Sequence, residues 1–465
     1  MDNSTIAAIS TPLSAGGVGI IRISGPRSLD ILFQVFRPFR RNRQALSEQT
    51  IQSHRFYHGY IVENDQLIDE VMVVFMRAPR SYTGEDVIEI HAHSGPLVLR
   101  TILMLLIKSG ARLAGPGEFT RRAFLNGKMD LTQAEAIADI IDARSRYGLK
   151  IAVNQATGKL KSEIDAIKEL FIDSLVEIEA AIDFSDHTDD SLPRATLLET
   201  LQTGAVRLNN LIEQYNNFSW QRSGIMVALV GAPNVGKSTL LNTLLGRERA
   251  IVAPTPGTTR DFIQEALTLE GHSFVFTDTA GLRKHTADDL EKIGMERTQN
   301  ILSKSDAVVF MIDAAKGVSA EDHDLLNTFC NNKLILVANK IDLPEAIDFG
   351  FPPEWTDRFS LIRLSALTGE GVSSLKTLLV NLFGHQPITG TDEECGLLPN
   401  LRQKTALEKA FLAVKSARDA INGMVPEDLV AIDLREAIDA LNEITGHSLR
   451  SDVLNDIFSR FCIGK

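Results

Sequence analysis

Cysteine is scarce. The 465 residues hold three, Cys330, Cys395 and Cys462, spaced too widely for a metal knuckle or a disulfide framework, which implies a reducing compartment. Basic charge is also in deficit, 48 Lys and Arg against 60 Asp and Glu, and a net charge of -12 excludes a chain that coats nucleic acid by bulk charge. Any RNA contact then falls to a local patch or a partner's surface. No apolar run approaches the roughly 20 residues of a membrane span, and the start Met1-Asp2-Asn3-Ser4-Thr5 lacks the basic n-region of a signal peptide. These absences lead us to expect a soluble, cytoplasmic protein with no membrane contact. What is present is ordinary globular composition, 44% apolar and 23% charged, in a chain long enough for about three domains.

One stretch organises the rest. Gly231-Ala-Pro-Asn234-Val235-Gly236-Lys237-Ser238-Thr239 follows the apolar run Ile225 to Val230 and precedes the helix-like Leu240 to Leu245, the order of strand, Gly-rich turn and helix that a phosphate-binding loop requires. Its glycines let backbone N–H groups turn toward an anion at a helix N-terminus. Lys237 supplies a point charge for the outer phosphates, and the Ser238 hydroxyl is placed for Mg²⁺.

Further motifs identify the nucleotide as GTP. Asp278-Thr279-Ala280-Gly281 ends a strand, where the Asp can hold the Mg²⁺ shell and the Gly N–H can sense a γ-phosphate. Asn339-Lys340-Ile341-Asp342 ends another, and a carboxylate there accepts two hydrogen bonds from guanine that adenine cannot offer. Ser365-Ala366 fits backbone recognition of the guanine O6. Thr258 and Thr259 lie in the connection after the first helix, with Thr259 as second hydroxyl ligand for Mg²⁺ and Arg260 beside it as a candidate catalytic residue. Leu282 stands where many signalling GTPases carry a water-orienting Gln, so Glu291 becomes the candidate for that task. Its alternative is a solvated acid at a helix start. Asn234, with carbonyls of Ala253, Thr255 and Thr258, could coordinate a monovalent cation in place of an arginine finger. It could equally close the loop by a side-chain hydrogen bond.

The remainder reads as a domain at 1–118 of alternating strands and helices, a helical domain at 119–217 and 384–465, and a doubly wound α/β domain inserted at 218–383. Asp130 with Gln133 marks a helix start, and Asn216 to Gly224 reads as a hinge. The clusters Ser81 to Gly95 and Gly115 to Thr120 are dense in ionisable groups. Each is a structural turn with solvated charges or a ligand site. Phe458, Phe461 and Ile463 suggest that the tail docks into the protein, with Cys462 as either a small buried hydrophobe or a site thiol.

The loop Gly231 to Ser238, Gly257-Thr-Thr-Arg-Asp261 and Asp278-Thr-Ala-Gly-Leu-Arg283 resemble the bacterial tRNA-modifying GTPases called MnmE or TrmE, within the TrmE-Era-EngA-like group. So do Thr83-Gly-Glu-Asp86, Pro116-Gly-Glu-Phe119, Arg122-Ala-Phe-Leu-Asn126, Gln133-Ala-Glu-Ala136 and Phe461-Cys-Ile-Gly-Lys465, which together span the chain. The resemblance implies an N-terminal α/β folate-binding and dimerising domain, a central helical domain and an inserted P-loop GTPase domain activated by potassium-dependent dimerisation. It implies a homodimer that joins a flavoprotein, MnmG or GidA, in a heterotetramer or larger assembly. That complex would install a carboxymethylaminomethyl-type group at C5 of the wobble uridine of certain tRNAs, using a one-carbon unit from 5-formyl- or methylene-tetrahydrofolate. Carried over by motif, Arg22, Glu89, Lys128 and Lys465 would contact the folate, with Cys462 near it. The family usually has His-Gly-Gly where this chain has His93-Ser94-Gly95. The competing reading is a ribosome-assembly GTPase switch. Such proteins usually add a basic RNA-binding module, and nothing after Leu397 looks like one.

Overall fold

The computed structural model describes residues 4–14, 16–39, 49–143, 145–183, 194–246, 264–278, 305–327, 333–346, 349–356, 358–384, 397–448 and 451–465. The chain divides into two compact units. One comprises Met1–Ala138, Gln155–Asn209 and Thr405–Lys465, the other Asp139–Asn154 and Asn210–Lys404.

The first unit begins with β1 (Ile6–Ile9), β2 (Val18–Ser24), α1 (Ser28–Val35), β3 (Phe36–Pro38), β4 (Phe56–Glu63), β5 (Gln66–Met76), β6 (Val87–His93), α2 (Pro96–Lys108) and β7 (Arg112–Leu113). The strands pair in the order β3-β4-β5-β6-β2-β1-β7, antiparallel except for β1 with β7. Side chains alternate across such a sheet. Ile21, Ile23, Val71, Val73, Phe75, Ile88 and Ile90 bury one face in a core shared with Ile31 and Leu32 of α1 and with Leu99 and Ile102 of α2. The residues between them, Arg22 and Glu89 among them, belong to the other face, and the register sets these two opposite each other. Gly19 is small because α2 packs on it, a Cβ there meeting Leu99 Cδ1 at 2.6 Å. The run Gly17-Val18-Gly19 is therefore a strand entry rather than a nucleotide loop.

The helical part of this unit draws on α3 (Glu118–Leu125), most of α4 (Leu131–Asp142), α6 (Lys159–Asp183), the first part of α7 (Arg194–Ser223), most of Leu401–Asn422, and Glu427–Thr445 and Ser451–Ser459, while α5 (Arg146–Ala156) up to Asn154 and α7 from Asn210 fall in the second unit. The expected start of α4 is a reciprocal capping box: Asp130 Oδ1 accepts from Thr132 N at 2.7 Å, and Gln133 Oε1 accepts from Asp130 N at 3.1 Å. Apolar residues of α6, including Leu160, Ile164, Phe171 and Ile178, pack along Glu427–Thr445.

The second unit contains β8 (Ile225–Gly231), α8 (Lys237–Leu245), β9 (Gln264–Leu269), β10 (His272–Asp278), β11 (Ala307–Asp313), β12 (Lys333–Asn339) and β13 (Ser360–Arg363). The order is β13-β12-β11-β8-β10-β9, with every pairing parallel except β9 with β10. Separate cores lie on the two faces, one with Leu240, Phe274 and Leu375, the other with Phe310, Leu336 and Trp355. Such a sheet buries both faces, and β11 is buried at all seven positions.

Two expectations change. Asn216 to Ser223 is helix, not hinge: α7 passes through Gly204, meets no further Gly or Pro across 205–223, and ends at Gly224, whose φ is +84°. Gly148, a residue type that would be expected to interrupt the helical pattern here, lies within α5. Among the described residues no helix is long and apolar enough to cross a membrane.

Phe310 is fully buried in the same cluster as Trp355, so Phe310→Ala leaves a cavity there. It should destabilise the second unit by about 3–5 kcal/mol. Urea unfolding followed by Trp355 emission in a Trp220→Phe background checks this.

Candidate functional site

The phosphate loop forms where the central strand β8 ends. Gly231 has φ +146° and its Cβ would sit 2.3 Å from the Met311 carbonyl oxygen of β11, so the loop leaves the sheet against neighbouring backbone. Asn234 (φ +63°) and Gly236 (φ +100°) are both left-handed, and Gly236 caps α8. Lys237 is buried, and its ammonium donates to the Gly231 and Ala232 carbonyls at 2.8 and 2.9 Å, which stretches the charge across the loop. Ser238, Thr239 and Asn234 are exposed, while Val235 is buried among the core leucines.

Asn339 ties this loop to the others. At 2% exposure its Nδ2 donates to the Val235 carbonyl at 2.7 Å, and its Oδ1 accepts from Ala366 N at 2.8 Å. A Cβ on residue 236 would lie 2.3 Å from that Nδ2, so the glycine is required by Asn339 as well as by its φ. Thr243 Oγ1 of α8 donates to the Ala366 carbonyl at 2.6 Å, and Ser365 Oγ accepts from Thr368 N at 3.1 Å. Lys340, at φ +68°, reaches Asp313 Oδ2 at 2.7 Å, and Asp342 is exposed. Asn234 to Thr239, Asn339, Lys340, Asp342, Ser365 and Ala366 thus share one end of the sheet. Asp278 is the last residue of β10, paired with Leu229 two positions before Gly231. The candidates Ala253, Thr255, Thr258, Thr259, Arg260, Thr279, Ala280, Gly281 and Glu291 lie outside the described residues.

The second candidate region is on the first sheet. Arg22 Nη2 and Nε donate to Glu89 Oε1 at 2.7 and 3.0 Å, and Nη1 is 3.5 Å from the Gly464 carbonyl. The guanidinium carbon lies 5.3 Å from the Tyr82 ring centroid and 5.7 Å from that of Phe119. Burial pushes the Tyr82 phenol up, against a hydrogen bond with Thr120 and the nearby Arg22. The other carboxylate oxygen of Glu89 is 3.4 Å from His91 Nε2, a buried nitrogen with no hydrogen-bond partner, which sequence reasoning left unassigned. Only the two-residue strand period could have placed His91 beside Glu89 on this face.

The tail docks through its backbone. Gly117 N donates to the Cys462 carbonyl, Phe119 N to an oxygen of Lys465, and Pro116 bridges Ile463. Phe458 and Phe461 are buried as expected, but Ile463 is 53% exposed and Cys462 is exposed. The apolar anchor therefore ends at Phe461. Lys128 reaches the Pro79 carbonyl at 3.0 Å, beside Gly84. Ser94 is buried where the resemblance expects Gly, and it fits because residue 16 is a glycine whose Cβ would stand 3.2 Å from Ser94 Oγ.

The Gly115 to Thr120 cluster resolves as structure. Burial alone would raise the Glu118 carboxyl, but hydrogen bonds from Arg112, Gly115 N and Arg122 hold it below the usual range. Arg122 also binds Glu85 at 3.1 Å, and Glu85 accepts from Ser24 Oγ at 2.7 Å.

A central parallel strand running into a Gly-rich turn, a buried Lys laid across it, and an Asn-Lys-Ile-Asp loop locked to the turn define a P-loop GTP hydrolase. Residues 131–462 match the family profile described as the MnmE helical domain, and residues 5–128 that of the GTP-binding protein TrmE N-terminus. The chain is 42% identical over 468 residues to the tRNA modification GTPase MnmE of Carboxydothermus hydrogenoformans, covering 100% of both. It is 40% identical over 464 residues to that of Thermotoga maritima, covering 99% of this chain and 100% of the relative. The G domain of the T. maritima FeoB iron transporter is 26% identical, covering 34% of this chain and 97% of that one, at a TM-score of 0.26. The chain belongs to the MnmE family of tRNA modification GTPases.

Asn339→Ala leaves the Val235 carbonyl and the Ala366 N–H without partners. At about 1–3 kcal/mol for each buried orphan, the GTP Kd should rise at least about tenfold, measured by titration with a fluorescent GTP analogue. Glu118 is lowered in the folded state, so its stabilising effect is complete above the ordinary Glu pKa and is lost as pH falls through the lower folded value. Glu118→Gln should therefore unfold more easily at neutral pH and show a flatter acid dependence, read by circular dichroism.

Proposed function

We propose that this protein is a potassium-activated GTPase that acts with a flavin-bearing partner to modify C5 of the wobble uridine of certain tRNAs, drawing a one-carbon unit from a reduced folate. The observation that carries the reading is the Asn339-locked phosphate loop in a chain alignable from end to end with tRNA modification GTPases. Ser238 stands exposed at the start of α8, where a hydroxyl ligand for Mg²⁺ belongs, with Thr259 as its partner. Asn234 is exposed in a left-handed conformation at the rim of the turn, which supports a cation held jointly with the carbonyls of Ala253, Thr255 and Thr258. Such a cation would supply positive charge where the transition state gathers negative charge. Glu291 takes the role of orienting water, since Leu282 has no polar group.

The Arg22–Glu89 pair fits a reduced folate on its donor set. Glu89 offers an acceptor edge to a pterin's N–H groups, and the partnerless His91 Nε2 marks a polar need on the same face. Arg22, Lys128 and Lys465 suit a carboxylate tail, and Cys462 lies exposed on the segment that docks beside Arg22. Bound there, the folate would supply a one-carbon group at the formaldehyde or formate oxidation level. The chain's own contribution is to hold and orient it, in a homodimer joined to the flavoprotein and the tRNA.

Turnover should be fast in KCl and slow in NaCl, and Asn234→Ala should remove the difference by lowering the KCl rate roughly tenfold or more. Equal wild-type rates in the two salts would falsify the cation role. Glu291→Ala should bind GTP normally and lose hydrolysis, seen in single-turnover assays. Mass spectrometry of tRNA from a deletion strain should show unmodified wobble uridines, restored by the wild-type gene.

A further inference from the structure

At the end of the second unit's sheet away from the phosphate loop, five aromatic rings touch in a continuous chain. His272 is the first residue of β10 and follows a two-residue turn, Glu270 and Gly271, both at positive φ, which displays its ring. Tyr147 of α5 stacks on it at 5.6 Å and 27°, and Trp220 of α7 lies 5.9 Å from it at 41°. Trp220 meets Phe383 edge-on at 6.0 Å, and Phe383 meets Phe274 of β10 at 6.3 Å. Trp220 Nε1 is held by the Asn217 carbonyl at 2.9 Å, and Lys333 Nζ covers Phe383 at 4.0 Å while donating to the Leu382 carbonyl. Burial keeps the His272 imidazole below its usual pKa, against the nearby Glu270 carboxylate, so the ring stacks as a neutral aromatic.

Two helices are thus fastened to one end of β10, the strand whose other end is Asp278 of the Asp-Thr-Ala-Gly motif. Over seven residues at about 3.3 Å each, those ends are separated by about 20 Å of strand, paired with β8 from Phe274 to Asp278. Segments that touch a γ-phosphate rearrange when it is lost. We propose that the Tyr147–His272–Trp220–Phe383 stack is the coupling element through which the nucleotide state at Asp278 reaches α5 and α7. Both helices continue in sequence into residues of the first unit. The proposal rests on the GTP cycle above and adds the residues that transmit it. The stack residues touch neither nucleotide nor reacting atoms, so they position rather than catalyse.

The sequence has two tryptophans, so Trp355→Phe leaves Trp220 as sole reporter. Its emission should differ between the GDP and GDPNP complexes, lose that difference in His272→Ala, and regain it in His272→Phe, which restores a ring without a titrating group. His272→Ala should slow tRNA modification about tenfold, within the range usual for coupled sites, while GTP hydrolysis changes less than about twofold. If His272→Ala melts early, Tyr147→Leu, which removes the outer ring alone, carries the comparison. Trp220 emission blind to nucleotide, or a stably folded His272→Ala that keeps the wild-type response, overturns the proposal. The emission test needs only guanine nucleotides, so failure of the tRNA reading is seen separately, as a wild-type enzyme that leaves tRNA unmodified.

Discussion

The nucleotide site depends on one buried amide. Asn339 donates to the loop after β8 and accepts from the loop after β13, so three chain segments distant in sequence meet at a single side chain. An amide does both where an isosteric carboxylate could not, because a carboxylate cannot donate and would face the Val235 carbonyl with negative charge. The bonds join neutral groups away from water, so the frame is insensitive to pH and salt in a way that a surface ion pair is not. Lys237 is held against the Gly231 and Ala232 carbonyls, and the turn itself consists largely of glycines and exposed polar residues.

The first unit is organised on a different principle. Its sheet buries one face against α1 and α2 and devotes part of the other to charge. Arg22 is held between two aromatic rings, shares one oxygen of Glu89, and reaches the Gly464 carbonyl. Around it, Glu118 and Glu85 are consumed by Arg112, Arg122 and Ser24. The dense ionisable sequence here therefore separates into carboxylates that build the scaffold and one, Glu89, whose second oxygen lies 3.4 Å from His91 Nε2 without a hydrogen bond between them.

How much could be read from the chain follows from how local each interaction is. The phosphate loop and the capping box at Asp130 rest on residues a few positions apart, and sequence spacing expressed them, whereas the strand order of the second unit sets Ala307 opposite Val227 and could not be read from spacing. The Glu118 network was visible as a cluster but not as a scaffold, because its partners Arg112 and Arg122 are nearby while the Glu85 link spans 37 residues. Asn339 read as part of a guanine motif. Its tie to Val235 bridges 104 residues, a separation at which spacing carries no signal. Asn216 and Asn217 suggested a loop by composition, yet α7 continued through them, packing having outweighed a weak propensity. His272 gave no sign of its role, since its ring partners Tyr147 and Trp220 come from two helices distant in sequence.

The docked tail also orders events in time. Ser10 Oγ donates to the Gly464 carbonyl across 454 positions, and Arg22 reaches the same oxygen across 442. A chain made from its N-terminus folds domain by domain as it emerges. All of the second unit is therefore synthesised before the residues that complete the Arg22 and Ser10 contacts exist. The frame that Asn339 holds can assemble early, whereas the charged face of the first unit is completed only after Gly464 has arrived.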